Sequence, residues 1–148
     1  MRTRDITMPP PPLWRIPRVR YERMVKKGAF DSDDRVELLD GLLVISEPQG
    51  SLHAAAVSAA RATLARAFGT SFDVRVGSPV ALDDTSEPEP DLAVVAGRPW
   101  DYRRGHPSKP VLAVEVAETS LAMDRLLKGS LYAGAGDREE VDGRVQAA

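Results

Sequence analysis

Two carboxylates in this chain sit where they could do chemistry. Asp91 directly follows Pro90 and precedes the apolar run Leu92-Ala93-Val94-Val95-Ala96, while Glu115 lies inside a second run, Val111-Leu112-Ala113-Val114-Glu115-Val116-Ala117. A carboxylate in so apolar a run is costly to bury unless a cation or several donors meet it. If the two runs are neighbouring strands, Asp91 and Glu115 converge on one hard cation, and their mutual repulsion favours the metal-bound state. A cation so held supplies what phosphodiester hydrolysis needs: an activated water and a charge that offsets the one building on the phosphate and the leaving oxygen. The plainer alternative makes Asp91 a turn residue and Glu115 the partner of an arginine at a strand edge. On the residues alone the two readings are evenly matched.

Composition narrows the metal. The 148 residues include no cysteine, and His53 and His106 are the two histidines, so thiolate and His-rich sites are excluded. Oxygen ligands remain, and they suit Mg²⁺, with Mn²⁺ as the alternative. A formal charge of −2 gives no global attraction to nucleic acid, so DNA binding would rest on local patches. One is the basic loop holding Arg98, Arg103, Arg104, His106 and Lys109. Arg103 and Arg104 are candidate phosphate contacts there, against the alternative of a solvated loop. No run is apolar enough for a membrane helix, and the N-terminus lacks a signal-peptide core, which points to a cytoplasmic protein.

The elements that must position these residues follow from pattern. Pro9 to Pro12 forbid a helix, so residues 1–17 read as a loose arm. Tyr21, Met24 and Val25 suit a short helix closed by Gly28, and 31–34 form a turn. Val36 to Leu39 and Leu42 to Ile45 flank Asp40-Gly41, the sequence signature of a hairpin. His53 to Phe68 carries Val57, Ala60, Leu64 and Phe68 on one helical stripe ended by Gly69. Phe72 to Val76 alternates as a strand, and Val80 to Leu82 reads as a second short strand or the continuation of a broken one. The runs at 92–96 and 111–117 belong at the centre of the sheet. Thr119 or Ser120 caps a last helix to about Ala133, with Met123, Leu127 and Leu131 on its buried stripe.

Taken in order, Val36-Glu37-Leu38-Leu39-Asp40-Gly41, Pro48-Gln49-Gly50 with His53, Ser86-Glu87-Pro88-Glu89-Pro90-Asp91, Glu115-Val116-Ala117, and Asp124 and Lys128 ahead of Tyr132-Ala133-Gly134-Ala135-Gly136 resemble the PD-(D/E)xK nuclease superfamily, and within it the bacterial Uma-two family of restriction endonucleases. The likeness runs from about Tyr21 to Gly136. It implies a restriction-endonuclease-like α/β (α+β) core, a central mixed β-sheet with an N-terminal hairpin and flanking helices, spanning residues 18–136. It also implies that Asp91 and Glu115 ligate the metal. Glu37 is either a third carboxylate or an exposed strand residue. The lysine usual two positions after the glutamate is replaced by Ala117. Lys128, on the following helix, takes the catalytic place by that resemblance, the alternative being an ordinary surface pair with Asp124. His53 stands where the family often has a histidine that could touch metal or phosphate, although a capping or packing role is the more common one.

Past Gly136 the family pattern is lost, and 137–148 reads as a divergent tail, expected from a truncation or frameshift that would expose a sheet edge. Two functions therefore stand side by side: a Mg²⁺-dependent DNA endonuclease, or a catalytically inactive remnant or DNA-associated interaction protein. A phosphate-binding protein is weaker, for want of a Gly-rich phosphate loop. A homodimer would suit duplex cleavage.

Overall fold

The computed structural model describes residues 9–46 and 48–116. The expected last helix with Asp124 and Lys128, the position of Ala117 and the tail at 137–148 lie outside the described residues. Within them the chain is mixed α/β, with helix α1 (Arg18–Lys26), strands β1 (Val36–Leu39) and β2 (Leu42–Ile45), helix α2 (Ser51–Phe68), strands β3 (Phe72–Val76), β4 (Leu92–Ala96) and β5 (Leu112–Val114), and a 3₁₀ turn at Pro99–Tyr102 between β4 and β5. The strands form two small antiparallel sheets, β1-β2 and β3-β4-β5. This is the restriction-endonuclease-like α+β architecture that the sequence led us to expect.

The hairpin forms as its turn chemistry dictates. Asp40 and Gly41 both take positive φ, 47° and 78°, and pair Leu39 with Leu42 across the turn. A side chain at Gly41 has no room, because a Cβ there would stand 2.7 Å from Cβ of Arg15. The chain is docked against this turn before α1 begins. Within the stretch read as an arm, the Ile16 N–H donates to the Gly41 carbonyl at 2.8 Å, and Arg15 bonds both the carbonyl and the carboxylate of Asp40. Ile16, Tyr21 and Leu38 then form a small core between α1 and the hairpin.

The three-stranded sheet is covered on both faces, which explains why β4 is apolar throughout. Leu92 and Val94 join Val57, Val74 and Val114 in a core closed by the α2 stripe of Ala60, Leu64 and Phe68. Ala93 faces the other way, against Val80 and Leu82.

Two expectations are corrected. Val80 to Leu82 is buried and extended but is not a strand. Its amides donate to the carbonyls of Pro88 and Ser86, and the facing chain, holding Pro88 and Pro90, lacks the N–H groups that would return a full ladder. Glu115 does not lie inside a strand, for β5 ends at Val114. Leu92 pairs with Val114, so Asp91 and Glu115 stand one step past the last pair, and the next residue on the β4 side is Pro90. Without its N–H the ladder stops there.

The segment from Ser86 to Asp91 stitches the two sheets together. The Glu87 amide donates to the Leu38 carbonyl at 2.8 Å, the Gly41 amide to the Thr85 carbonyl at 2.7 Å, and the Asp40 amide to Ser86 Oγ at 3.0 Å. Asp91 therefore emerges from a segment held by β1 on one side and by the three-stranded sheet on the other.

Candidate metal centre

The site forms where the β4-β5 ladder breaks. Asp91 and Glu115 face each other across this gap, and the Asp91 N–H points to Glu115 Oε2 at 3.4 Å. The Val116 N–H, which a continued ladder would have spent on backbone, donates to Asp91 Oδ2 at 2.7 Å. The broken ladder thus orients both carboxylates and brings them to one end of the sheet.

The first turn of α2 closes the site from the side. His53 is buried, and its Nε2 lies 3.1 Å from Asp91 Oδ1, which also accepts from Gln49 Nε2 at 3.2 Å. Four side chains from three separate stretches, Gln49, His53, Asp91 and Glu115, meet here. Gln49 was missed as a site residue in the sequence, and its only trace there is membership of the Pro48-Gln49-Gly50 segment. The Asp91 side chain keeps 11% of its surface exposed, so the site is partly desolvated yet reachable.

Glu37 is placed elsewhere. It is buried rather than exposed, accepts a hydrogen bond from the Ser46 hydroxyl on Oε1, and takes the Glu89 N–H on Oε2 at 2.9 Å. Through Glu89-Pro90-Asp91 it fixes the backbone that delivers Asp91. Among the described residues no three His, Cys, Asp or Glu side chains converge closely enough to hold a metal together. The donor set nonetheless fits a magnesium ion, which typically takes one or two protein carboxylates and completes its octahedron with water and substrate phosphate. Asp91 Oδ1 is engaged by both Gln49 and His53, while Oδ2 accepts the Val116 amide and retains a second lone pair for a cation.

A second group of charges lies around α1. Glu87 is buried, 4.0 Å from Arg18 Nη1 and 3.9 Å from His106 Nε2. Burial pushes its carboxyl up to about 7, helped by a hydrogen bond with Glu22 and by that neighbour's charge. Burial alone would raise Glu22 too, but its hydrogen bond with Glu87 and the Arg18 guanidinium bring it below its ordinary value. Burial and the nearby Arg75 lower the His106 imidazole, and burial beside Glu89, Glu87 and Glu37 raises the Tyr21 phenol. Arg103 and Arg104 follow the 3₁₀ turn on the exposed surface, away from contact with the carboxylate pair, with Arg103 Nη1 donating to the Trp100 carbonyl at 3.0 Å.

The ordered segments that meet here also decide the family. The Uma2 family model, described as "Putative restriction endonuclease", matches residues 19–140. The chain belongs to the Uma2 family. The Uma2 match takes in the hairpin, α2, the Ser86 to Asp91 segment and both carboxylates, so every element that builds the site is family sequence. Among curated proteins none matches the chain. No described helix is long and apolar enough to cross a membrane.

Proposed function

We propose that this Uma2 protein is a magnesium-dependent DNA endonuclease of the PD-(D/E)xK type, with Asp91 and Glu115 as its metal ligands and Mn²⁺ as an alternative ion. The observation that carries the reading is the pairing of these carboxylates at the ladder break, each engaged by the other strand's backbone amide.

A bound magnesium ion would supply a Lewis acid for the scissile phosphate and lower the pKa of the attacking water. The chain's own residues do the positioning. Asp91 is held at Oδ1 by His53 and Gln49 and at Oδ2 by the Val116 amide, so it need not reorganise when a cation arrives. Glu37 keeps the Glu89 to Asp91 backbone in register with the hairpin. Lys128 orients the water and stabilises charge on the phosphate, a role that rests on the family resemblance. Arg103 and Arg104 contact substrate phosphates.

Isothermal titration with Mg²⁺ tests the ligand assignment. Wild type should bind the ion, and Glu115→Ala should lose at least about tenfold in affinity. Equal affinity in the two proteins would remove Glu115 from the site.

A further inference from the structure

The charges around α1 enclose a cavity of about 340 Å³, lined by Glu22, Lys26, Glu87, Tyr102, Arg104 and His106 among others. That size lies within the range of small-ligand sites. Glu87 forms its inner wall. It is four residues before Asp91 on an extended segment, roughly 13 Å along the chain, so the cavity is separate from the carboxylate pair.

The hydrogen-bonding neighbour of the Glu87 carboxyl among the described residues is another acid, Glu22, and no cationic side chain there is close enough to donate to it. Glu87 Oε2 is buried and accepts no hydrogen bond among the described residues. Arg18 at 4.0 Å gives ion-pair attraction but stands too far to donate, and His106 at 3.9 Å is also out of hydrogen-bond reach. His106 also accepts at Nδ1 from Arg75 Nη2 at 3.5 Å, which leaves the proton of the neutral ring on Nε2, facing Glu87. Burying a carboxylate so poorly satisfied is unfavourable, and it becomes favourable if a ligand brings N–H donors. The rim fixes what else that ligand carries. Lys26, Arg103 and Arg104 also line the cavity and are exposed, so an anionic group on the ligand would be welcomed beside them. Tyr102 adds an aromatic ring to the same wall.

We propose that this cavity binds a guanine nucleotide, the paired N1–H and N2–H donors of the base meeting the Glu87 carboxylate and the phosphate lying against Lys26, Arg103 and Arg104. Guanine offers two adjacent donors on one edge, matching two carboxylate oxygens, and thymine does not. The carboxylate turns about its last torsion, which is broad, to present both oxygens. The site deepens the nuclease reading, on which it rests for its biological source: a guanine of a DNA strand rather than a free nucleotide. Ligand N–H groups and a proton shared with Glu22 compete for the same oxygens, and Arg18, Glu89, Arg75 and His106 are the other charges facing them. Binding therefore tightens as Glu87 ionises.

The test titrates the full chain with dGMP, dAMP, dCMP and dTMP without metal, following the amide resonances of Tyr102 to His106, and then repeats it with single-stranded oligonucleotides with and without one guanine. The expected result is dGMP binding at least about tenfold tighter than dTMP, tightening between pH 6 and pH 8, with the guanine oligonucleotide at least as tight as dGMP. Glu87→Gln should abolish the preference for guanine, and Arg103→Ala with Arg104→Ala should weaken all four nucleotides alike. Four indistinguishable nucleotides, no binding, or an unaltered preference in Glu87→Gln would overturn the proposal. The wild-type base preference decides the matter even if that variant folds poorly. If plasmid nicking is seen without dGMP binding, the pocket falls and the nuclease stands. With dGMP binding and no nicking, the nuclease reading falls alone.

Discussion

His53 Nε2 lies 3.1 Å from Asp91 Oδ1, joining the first turn of α2 to the end of β4. Both side chains are largely removed from water, 4% and 11% exposed. Losing the imidazole leaves Asp91 short of a donor and opens space beneath α2. His53→Ala should cost about 1–3 kcal/mol in urea unfolding, and His53→Gln, which can still donate an N–H, should cost less. Equal losses in the two variants would show that ring packing, rather than the hydrogen bond, is what matters.

Asp91→Asn keeps an oxygen for the Val116 amide but removes the charge that a cation needs. Wild type should melt at higher temperature in Mg²⁺, by the mass-action stabilisation any native-state ligand gives, about 2.7 kcal/mol at a hundred times Kd. The Asn variant turns an amide N–H₂ toward Gln49 and His53, so it should melt somewhat below wild type without the ion, and it should gain nothing when the ion is added.

Glu87 makes the fold pH-sensitive. Its carboxyl rises in the folded state to about 7, so the native protein resists its ionisation while the unfolded chain does not. The associated stability is present at acid pH and is lost as pH climbs from the ordinary carboxylate range through about 7. Glu22, lowered in the same pair, acts in the opposite sense, its contribution being lost as pH falls through its depressed value, and the two titrate as a unit. Glu87→Gln should therefore gain on wild type in thermal melts as pH rises from 5 to 8. A constant difference would deny the coupling.

Gly41 holds the hairpin turn at φ 78°, with Arg15 filling the space a side chain would need. Gly41→Ala should cost about 2 kcal/mol or more in chemical denaturation, from strain and from displacing Arg15 and Ile16 together. A neutral result would mean that the docked segment before α1 adds little.

Much of this was legible because local chemistry decided it. Asp40-Gly41 has one good solution, and β1 and β2 fall on the expected residues. The stripe on α2 packs its expected members against the sheet, with the helix starting two residues earlier than its apolar pattern, at Ser51. What escaped the sequence was set by partners far along the chain. The Val80 to Leu82 run has strand composition, but the prolines opposite remove the donors a strand would need. Pro90 likewise ends β5 before Glu115, and this very break frees the Val116 amide for Asp91. Glu37 could be named but not placed, because its burial depends on Ser46 and on the Glu89 amide 52 residues away. Gln49 and His53 reach Asp91 only once α2 has docked.

The central claim, that Asp91 and Glu115 hold the ion that cleaves DNA, is tested most directly by nicking of supercoiled plasmid in Mg²⁺, comparing wild type with Asp91→Ala and Glu115→Ala. Wild type should nick the plasmid in a reaction that EDTA abolishes, and each variant should lose at least about a hundredfold, since a missing ligand removes transition-state charge stabilisation. Nicking that persists in either variant, or a folded wild type that binds Mg²⁺ and leaves the plasmid intact, would contradict it.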